Sequence, residues 1–163
     1  MITNNLVMEN ARIGFRNFSG KKGEYNPEGS RNFAVFFNPE DASLVKVLEE
    51  VGWNIKWLKP KNAEEDEELP MLSVAVRFDP YPPKIVLITS RGKTTLNEEN
   101  VNILDGAEIK NVDLIIRPYN WERKGSTGVK AYLKSMYVTL VEDELESKYY
   151  DVPDSAISAI VGR

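Results

Sequence analysis

The apolar residues of this chain fall into short segments of strand length, and this pattern constrains the fold more than any other feature. Seven such segments occur, at residues 5–18, 31–37, 53–58, 69–78, 84–90, 112–121 and 129–141. Many of them alternate apolar with polar residues and are rich in Val, Ile and Phe, which is typical of strands with one buried face. A parallel α/β sheet would need helices between them. The pattern therefore predicts a mainly β fold, an antiparallel sheet or barrel with a helical lid.

One segment, at about residues 39–51, has helical periodicity instead. Asn38 can cap this helix, Pro39 suits its first position and Gly52 can end it. The apolar stripe expected of an amphipathic helix is formed by Leu44, Val47, Leu48 and Val51. A shorter helix is predicted at residues 96–104, and the tail from residue 142 is expected to begin as a helix.

The chain of 163 residues fits a single domain and contains neither Cys nor His. The lack of Cys excludes disulfides and thiolate metal sites, and it fits a reducing compartment. The lack of His removes the usual general base and the commonest metal ligand. No apolar run is long enough for a membrane span, and the first ten residues do not resemble a signal sequence. We therefore expect a cytoplasmic protein with no membrane partner and no cofactor.

The net charge of −4 is unevenly distributed along the chain. Five acidic residues stand at positions 64–68, and six more lie in the tail from residue 142 onward. The rest of the chain holds 14 acidic and 19 basic residues, a net charge of about +5. A basic body of this kind attracts phosphates. The alternative is that the acidic segments are ordinary solvated loops.

The last two strands are predicted to form a hairpin around a loop at residues 122–128. Since alternate residues of a strand share a face, the first arm groups Arg117, Tyr119 and Trp121. The second arm groups Lys130, Tyr132 and Lys134. Its opposite face is expected to hold Leu133, Tyr137, Thr139 and Val141.

Each arm of this hairpin thus alternates basic and aromatic side chains. Single-stranded nucleic acid needs both, because cations follow the phosphates and flat rings stack on the bases, at roughly 1–3 kcal/mol per base. The alternative is an aromatic-rich barrel wall covered by the stems of Lys and Arg side chains.

Residues 16–37 concentrate the same residue types around a Gly-rich loop at residues 19–30. A long flexible basic loop beside a strand is how small barrels close over a strand of DNA. A third cluster contains Trp53, Lys56, Trp57 and Lys59, and it is ambiguous. Its two Trp residues share a face, and we interpret them as core residues.

The candidate site combines side chains from the loop, the hairpin and a basic turn near residue 91. The cations expected to contact phosphates are Arg16, Lys21, Lys22, Arg31, Lys93, Arg117, Arg123, Lys124, Lys130 and Lys134. The rings expected to stack on bases are Phe18, Tyr25, Tyr119, Trp121 and Tyr132.

Two sequence patterns that would indicate an enzyme are incomplete. Residues 92–94 (GKT) lack the glycine five positions earlier that a phosphate-binding loop needs, since that position is Leu87. No metal-ligand spacing relates the acidic candidates Asp79, Asp105, Glu108 and Asp113. No catalytic residue and no metal site are therefore expected, and a metal-dependent nuclease is the least favoured alternative.

Several stretches resemble the single-stranded DNA-binding proteins of bacteriophages, an OB-fold group that serves phage DNA replication and recombination. These stretches are residues 14–20 (GFRNFSG), 25–33 (YNPEGSRNF), 52–60 (GWNIKWLKP) and 112–142, about two thirds of the chain. The order of a long strand, a helix and a terminal hairpin with an acidic tail is similar to the layout of that family. The resemblance implies an OB-fold-like antiparallel β-barrel over residues 1–141 and an acidic C-terminal tail over residues 142–163.

The same resemblance implies a sequence-tolerant groove that protects and organises single-stranded DNA, and a tail that recruits replication or recombination proteins. One departure from the family is the apolar end of the tail, residues 156–163 (AISAIVGR). This segment could pack on the body or on a second subunit in a homodimer. The alternative from another class is a non-catalytic protein–protein module, such as a phage assembly component, in which the basic hairpin is plain surface.

Overall fold

The computed structural model describes Ile2, residues 4–59 and residues 68–142. Within these ranges the chain forms nine strands and one α-helix, which confirms the prediction of a mainly β fold. The strands are β1 (Leu6–Met8), β2 (Arg12–Asn17), β3 (Arg31–Phe36), β4 (Ile55–Leu58), β5 (Leu69–Val76), β6 (Lys84–Thr89), β7 (Gly92–Leu96), β8 (Ile109–Arg123) and β9 (Ser126–Leu140). Helix α1 is Ala42–Val51, and 3₁₀ turns occupy Pro39–Asp41 and Val101–Asp105.

Two predicted features lie outside the described residues. They are the acidic run, except for Glu68, and the tail beyond Glu142 with its predicted helical start. No helix in the described part of the chain combines the length and apolarity needed to cross a membrane.

Six strands form a sheet in the order β1-β8-β9-β5-β3-β2. The other three extend it, because β4 pairs with β5, β6 pairs with β9, and β7 pairs with β6. Most pairs are antiparallel, but β9 pairs in parallel with both β5 and β6. The sheet is mainly antiparallel as predicted, and its two parallel pairings lie at successive positions along β9, a strand of 15 residues. The described pairings do not close a ring, although the Ala11 amide donates to the Val112 carbonyl and brings β2 beside β8.

The core lies on the inner side of this curved sheet. Strands β3, β8 and β9 contribute much of it through fully buried side chains at alternate positions, among them Phe33, Val35, Leu114, Ile116, Met136 and Val138. Residues on the other side of the same strands form what we call the outer face.

Helix α1 contacts this core along a narrow line. Val45 and Leu48 are buried, whereas Leu44, Val47 and Val51 are 42–52% exposed. The predicted stripe therefore coincides with the buried line only at Leu48. The helix ends as predicted at Gly52, whose φ of 111° favours glycine.

Three local predictions near the helix and the basic turn need correction. Trp53 is buried as expected, but Trp57 is 45% exposed and its indole N–H donates to Glu49 Oε2 at 3.2 Å. Residues 92–96, predicted as a turn leading into a helix, form strand β7 against β6. The predicted helix at 96–104 is only the 3₁₀ turn Val101–Asp105, held by buried Val101 and Leu104.

Candidate nucleic-acid interface

A tight turn of two residues, Lys124 and Gly125, joins β8 to β9. Both have a positive φ, 51° and 81°, which is the conformation of the common two-residue hairpin turn. Arg123 pairs directly with Ser126, so most of the predicted loop at 122–128 is strand. The hairpin therefore extends as a continuous ribbon to its tip.

A bulge at Lys134 divides β9 into two parts. Ile115 pairs with Ser135 and Ile116 with Leu133, which leaves Lys134 without an opposite residue. One extra residue reverses the alternation of faces. Tyr137 and Thr139 therefore lie on the outer face like Tyr132, and the prediction that they oppose it is wrong.

Four side chains on the distal part of the hairpin form what we call the hairpin cluster: Arg117, Tyr119, Lys130 and Tyr132. The two Tyr rings meet edge to face with their centroids 6.0 Å apart. The Arg117 guanidinium and the Lys130 ammonium lie 5.3 Å and 5.4 Å from the centre of the Tyr132 ring. The predicted basic–aromatic ladder is thus a contacting group, and Tyr119 is 51% exposed.

Trp121 extends this cluster toward the hairpin tip and is 40% exposed. Its ring lies directly on Gly128, the residue that pairs with it across the hairpin. A Cβ atom at position 128 would stand 2.4 Å from Cζ2 of Trp121. Glycine at this position therefore lets the indole approach the ribbon closely.

The outer face connects the hairpin cluster with neighbouring strands. Asn32 on β3 pairs with Ala75 on β5, Ala75 pairs with Tyr132, and Tyr132 pairs with Arg117. Paired residues share a face of the sheet. The four side chains thus form one row across β3, β5, β9 and β8.

Two grooves follow this face on either side of Tyr132. The first has a volume of about 400 Å³, and its lining includes Tyr25, Asn32, Lys56, Ser73, Trp121 and Lys130. The second has a volume of about 320 Å³ and is lined by Arg77, Asp79, Pro80, Tyr81, Arg117, Tyr119 and Tyr132. The two grooves are adjacent, because Lys130 of the first groove lies against Tyr132 of the second, and we call the two together the channel.

The charge of the two grooves is positive although the chain is acidic. The described residues that line the first groove include Arg31, Lys56 and Lys130 but no carboxylate. The second groove combines Arg77 and Arg117 with a single acidic residue, Asp79. Positive charge in a groove raises the local concentration of phosphates.

The loop at residues 19–30 forms one wall of the first groove. Its centre is Asn26, whose Nδ2 donates to the carbonyls of Lys21, Pro27 and Ser30 at 2.9–3.2 Å. The Asn26 Oδ1 accepts from Asn32 Nδ2 at 2.7 Å. The loop, predicted to be flexible, is thus internally bonded, and it presents Tyr25, which is 93% exposed.

Two predicted site residues have structural roles instead. Phe18 is completely buried and stacks on Phe33 with centroids 5.2 Å apart, so the prediction that it stacks on a base is wrong. Arg16 donates to the carbonyls of Leu104 and Ala107 at 2.7 and 2.8 Å. Its guanidinium therefore joins β2 to the second 3₁₀ turn rather than facing the groove.

Arg31 combines a structural position with a place at the first groove. It donates to the Phe18 carbonyl at 2.7 Å and forms an ion pair with Glu98 at 3.5 Å. Its guanidinium also lies over the ring of Phe78. These contacts leave Arg31 less available to a phosphate than Lys56 or Lys130.

Of the remaining predicted cations, all but Lys93 lie on the loop or the hairpin. Lys21 and Lys22 are exposed on the loop, Arg123 and Lys124 at the hairpin tip, and Lys134 at the bulge. Lys93 is distant, because it pairs with Ile88 and Ile88 pairs with Thr139. Thr139 lies nine positions along β9 from Lys130, about 30 Å at the rise of a strand.

Sequence reasoning missed Arg77 and Tyr81 and left Lys56 ambiguous. Arg77 follows Ser73 and Ala75 at a spacing of two, so the alternation along β5 was a usable signal. Lys56 reaches the groove because β4 pairs with β5, with Lys56 opposite Met71. That pairing has no local signature.

The acidic candidates for a metal site do not converge. Asp105 accepts from the Phe18 and Ser19 amides at 2.6 and 3.2 Å, and Asp113 accepts from the Asn10 amide at 2.9 Å. Both carboxylates therefore hold loops in place. Among the described residues, no three acidic side chains group together in a way that could hold a metal ion.

Three solved structures of the single-stranded DNA-binding protein from bacteriophage Enc34 share this fold. The structure in complex with ssDNA superposes with a TM-score of 0.55 at 15% identity, covering 85% of this chain and 88% of that one. A second structure of that protein gives a TM-score of 0.53 at 15% identity, with 93% of this chain and 89% of that one covered. A C-terminal truncation gives 0.54 at 14% identity, with 85% and 87% covered.

No curated protein sequence matches this chain. The family model of a phage ssDNA-binding domain matches residues 1–162, nearly the whole chain. The chain therefore belongs to the phage ssDNA-binding domain family.

Proposed function

We propose that this protein holds single-stranded DNA in the channel of its outer face, with little base preference and without altering the strand. The observation that carries the proposal is the hairpin cluster, where two cations and two tyrosine rings contact one another in a positive channel of an acidic chain. Its role is to protect and organise single strands in the cytoplasm of the host cell, during phage DNA replication or recombination.

Different side chains bind the phosphates and the bases. Lys56, Arg77, Arg117 and Lys130 neutralise phosphates, and none of them forms an ion pair with a carboxylate among the described residues. The rings that stack on the bases are those of Tyr119 and Trp121, which are exposed, and of Tyr132, which is partly buried. Stacking tolerates any base because every base has a π face, so sequence tolerance follows.

Tryptophan fluorescence tests where the strand binds. Trp53 is buried and Trp57 bonds to Glu49 beside α1, so only Trp121 lies at the channel. We expect oligo-dT to quench the wild-type emission in a salt-sensitive titration. The Trp57→Phe variant should keep this quenching and the Trp121→Phe variant should lose most of it. A flat wild-type titration at low salt would contradict DNA binding.

Two further experiments separate this function from its rivals. Labelled single strands incubated with the protein and Mg²⁺ should stay intact, whereas a nuclease would cut them. Charge reversal at Lys130 and Lys134 should abolish the gel shift of single-stranded DNA. A protein–protein module would retain its function after this change. The recruitment of replication or recombination proteins by the tail stays a prediction, as does a homodimer.

A further inference from the structure

A second aromatic and cationic group lies at the far edge of the outer face, on β2 and β3. The Phe15 and Phe36 rings are 5.6 Å apart at a tilt of 54°. The Arg12 guanidinium lies 5.7 Å from the centre of the Phe36 ring. We call these three residues the β2 cluster, and it repeats the composition of the hairpin cluster.

The backbone turns Phe15 outward at this point. Pairing between β2 and β3 is interrupted between Gly14 and Asn17, and Phe15 has a φ of 46°. Bulky residues rarely adopt this conformation. Simple alternation would place Phe15 on the side of Ile13, which packs against the core. Instead its ring is 67% exposed, and strained backbone of this kind is concentrated at functional sites.

A row of paired residues links the β2 cluster to the first groove. Arg12 pairs with Phe36, Phe36 with Met71, and Met71 with Lys56 of the groove. Between the two clusters, the floor of the face carries the small side chains of Ser73 and Ala75. From β2 to β8 there are four steps between neighbouring strands, about 19 Å at the usual spacing.

We propose that the β2 cluster is a second stacking platform for the same single strand. This inference rests on the proposed function. A sufficiently long strand leaves the hairpin cluster, crosses the floor at Ser73 and Ala75 past Lys56, and stacks a base on Phe15. A short strand occupies the hairpin cluster alone. Contact with Phe15 therefore depends on the length of the DNA.

Affinity measured against the length of oligo-dT tests this platform. Phe15→Ala should weaken binding of long oligonucleotides by about 5- to 150-fold, the equivalent of one lost stacking contact. It should leave binding of the shortest oligonucleotides that the wild type holds unchanged. Tyr132→Ala should weaken both. Val7→Ala, a matched change at an apolar residue that is 64% exposed on β1, should weaken neither.

Phe15→Gly separates a binding role from a structural one. Glycine adopts a positive φ without strain, so this variant should melt no lower than the wild type while it binds long oligonucleotides as weakly as Phe15→Ala. If the alanine variant fails to fold, Phe15→Gly still tests whether the Phe15 ring contributes to binding of long oligonucleotides.

Three results would overturn the platform. Wild-type affinity of Phe15→Gly for long oligonucleotides, with Tyr132→Ala impaired, would refute it and leave the proposed function intact. If Phe15→Gly lost affinity equally for short and long oligonucleotides, Phe15 would act together with the hairpin cluster. The predicted dependence on DNA length would then be refuted. Absence of wild-type binding at any length would refute both proposals.

Discussion

The two halves of the β8–β9 hairpin share their strands but differ in what surrounds them. The basal half lies between β1 and β6, and its inner side chains, such as Leu114, Met136 and Val138, are buried. The distal half is flanked by β5 at only two paired positions. There the outer face carries exposed rings and cations. A ribbon longer than the core requires thus provides a binding surface on a rigid base.

The largest expected effect is a loss of folding stability, caused by a substitution in the basal half of the hairpin. Met136 is completely buried, and Met136→Ala should lower the free energy of unfolding by about 2–5 kcal/mol because it leaves a cavity. Urea denaturation measures this loss. The folded fraction should bind oligo-dT with wild-type affinity, and a weakened affinity of that fraction would show that the two halves are coupled.

The next effect belongs to the distal half. Tyr132→Ala should weaken oligo-dT binding by roughly 1–3 kcal/mol, the contribution of a stacked base. Tyr137→Ala is the matched control, since Tyr137 stands on the same strand and face with Lys84 beside its ring. Equal weakening by both changes in fluorescence anisotropy titrations would contradict the assignment of DNA binding to the distal half of the hairpin.

A smaller effect is expected when the Trp121 ring is displaced without being removed. In Gly128→Ala the new Cβ would stand 2.4 Å from the indole, so the ring must move off the ribbon. Binding should weaken by less than in Trp121→Ala, which removes the ring altogether. Gly106→Ala, at a residue with a φ of −112° and with no heavy atom within 4 Å of the new Cβ, is the control for a loss of glycine. Unchanged affinity in Gly128→Ala would show that the position of Trp121 is unimportant.

The smallest effect is electrostatic. Lys130→Gln should reduce the slope of log K against log salt by about one, because one phosphate contact is lost. Lys93→Gln removes the same charge about 30 Å away by strand geometry and should leave the slope unchanged. Equal slopes for both variants would mean that only the net charge matters.

Alternation along strands made much of the hairpin predictable. Arg117, Tyr119, Lys130 and Tyr132 share a face as expected, because no bulge separates them. The predicted mainly β fold and the position of α1 follow from periodicity in the same way.

Side-chain positions were predicted wrongly where one extra residue changes the strand register, or where contacts between residues far apart in the sequence determine the position. The bulge at Lys134 moved Tyr137 to the outer face. Arg16 and Phe18, beyond the irregular Phe15, are held by the carbonyl of Leu104 and the ring of Phe33. Lys56 reached the groove through the β4–β5 pairing. No composition or spacing in a single sequence records such long-range partners.

Ultraviolet cross-linking of oligo-dT to the protein, followed by mass spectrometry of the linked peptides, tests the central claim most directly. The account predicts cross-links at Tyr119, Trp121 and Tyr132 on the distal half of the hairpin. Cross-links concentrated at Trp57 beside α1 or at Tyr137 beyond the bulge, with none at those three rings, would contradict it.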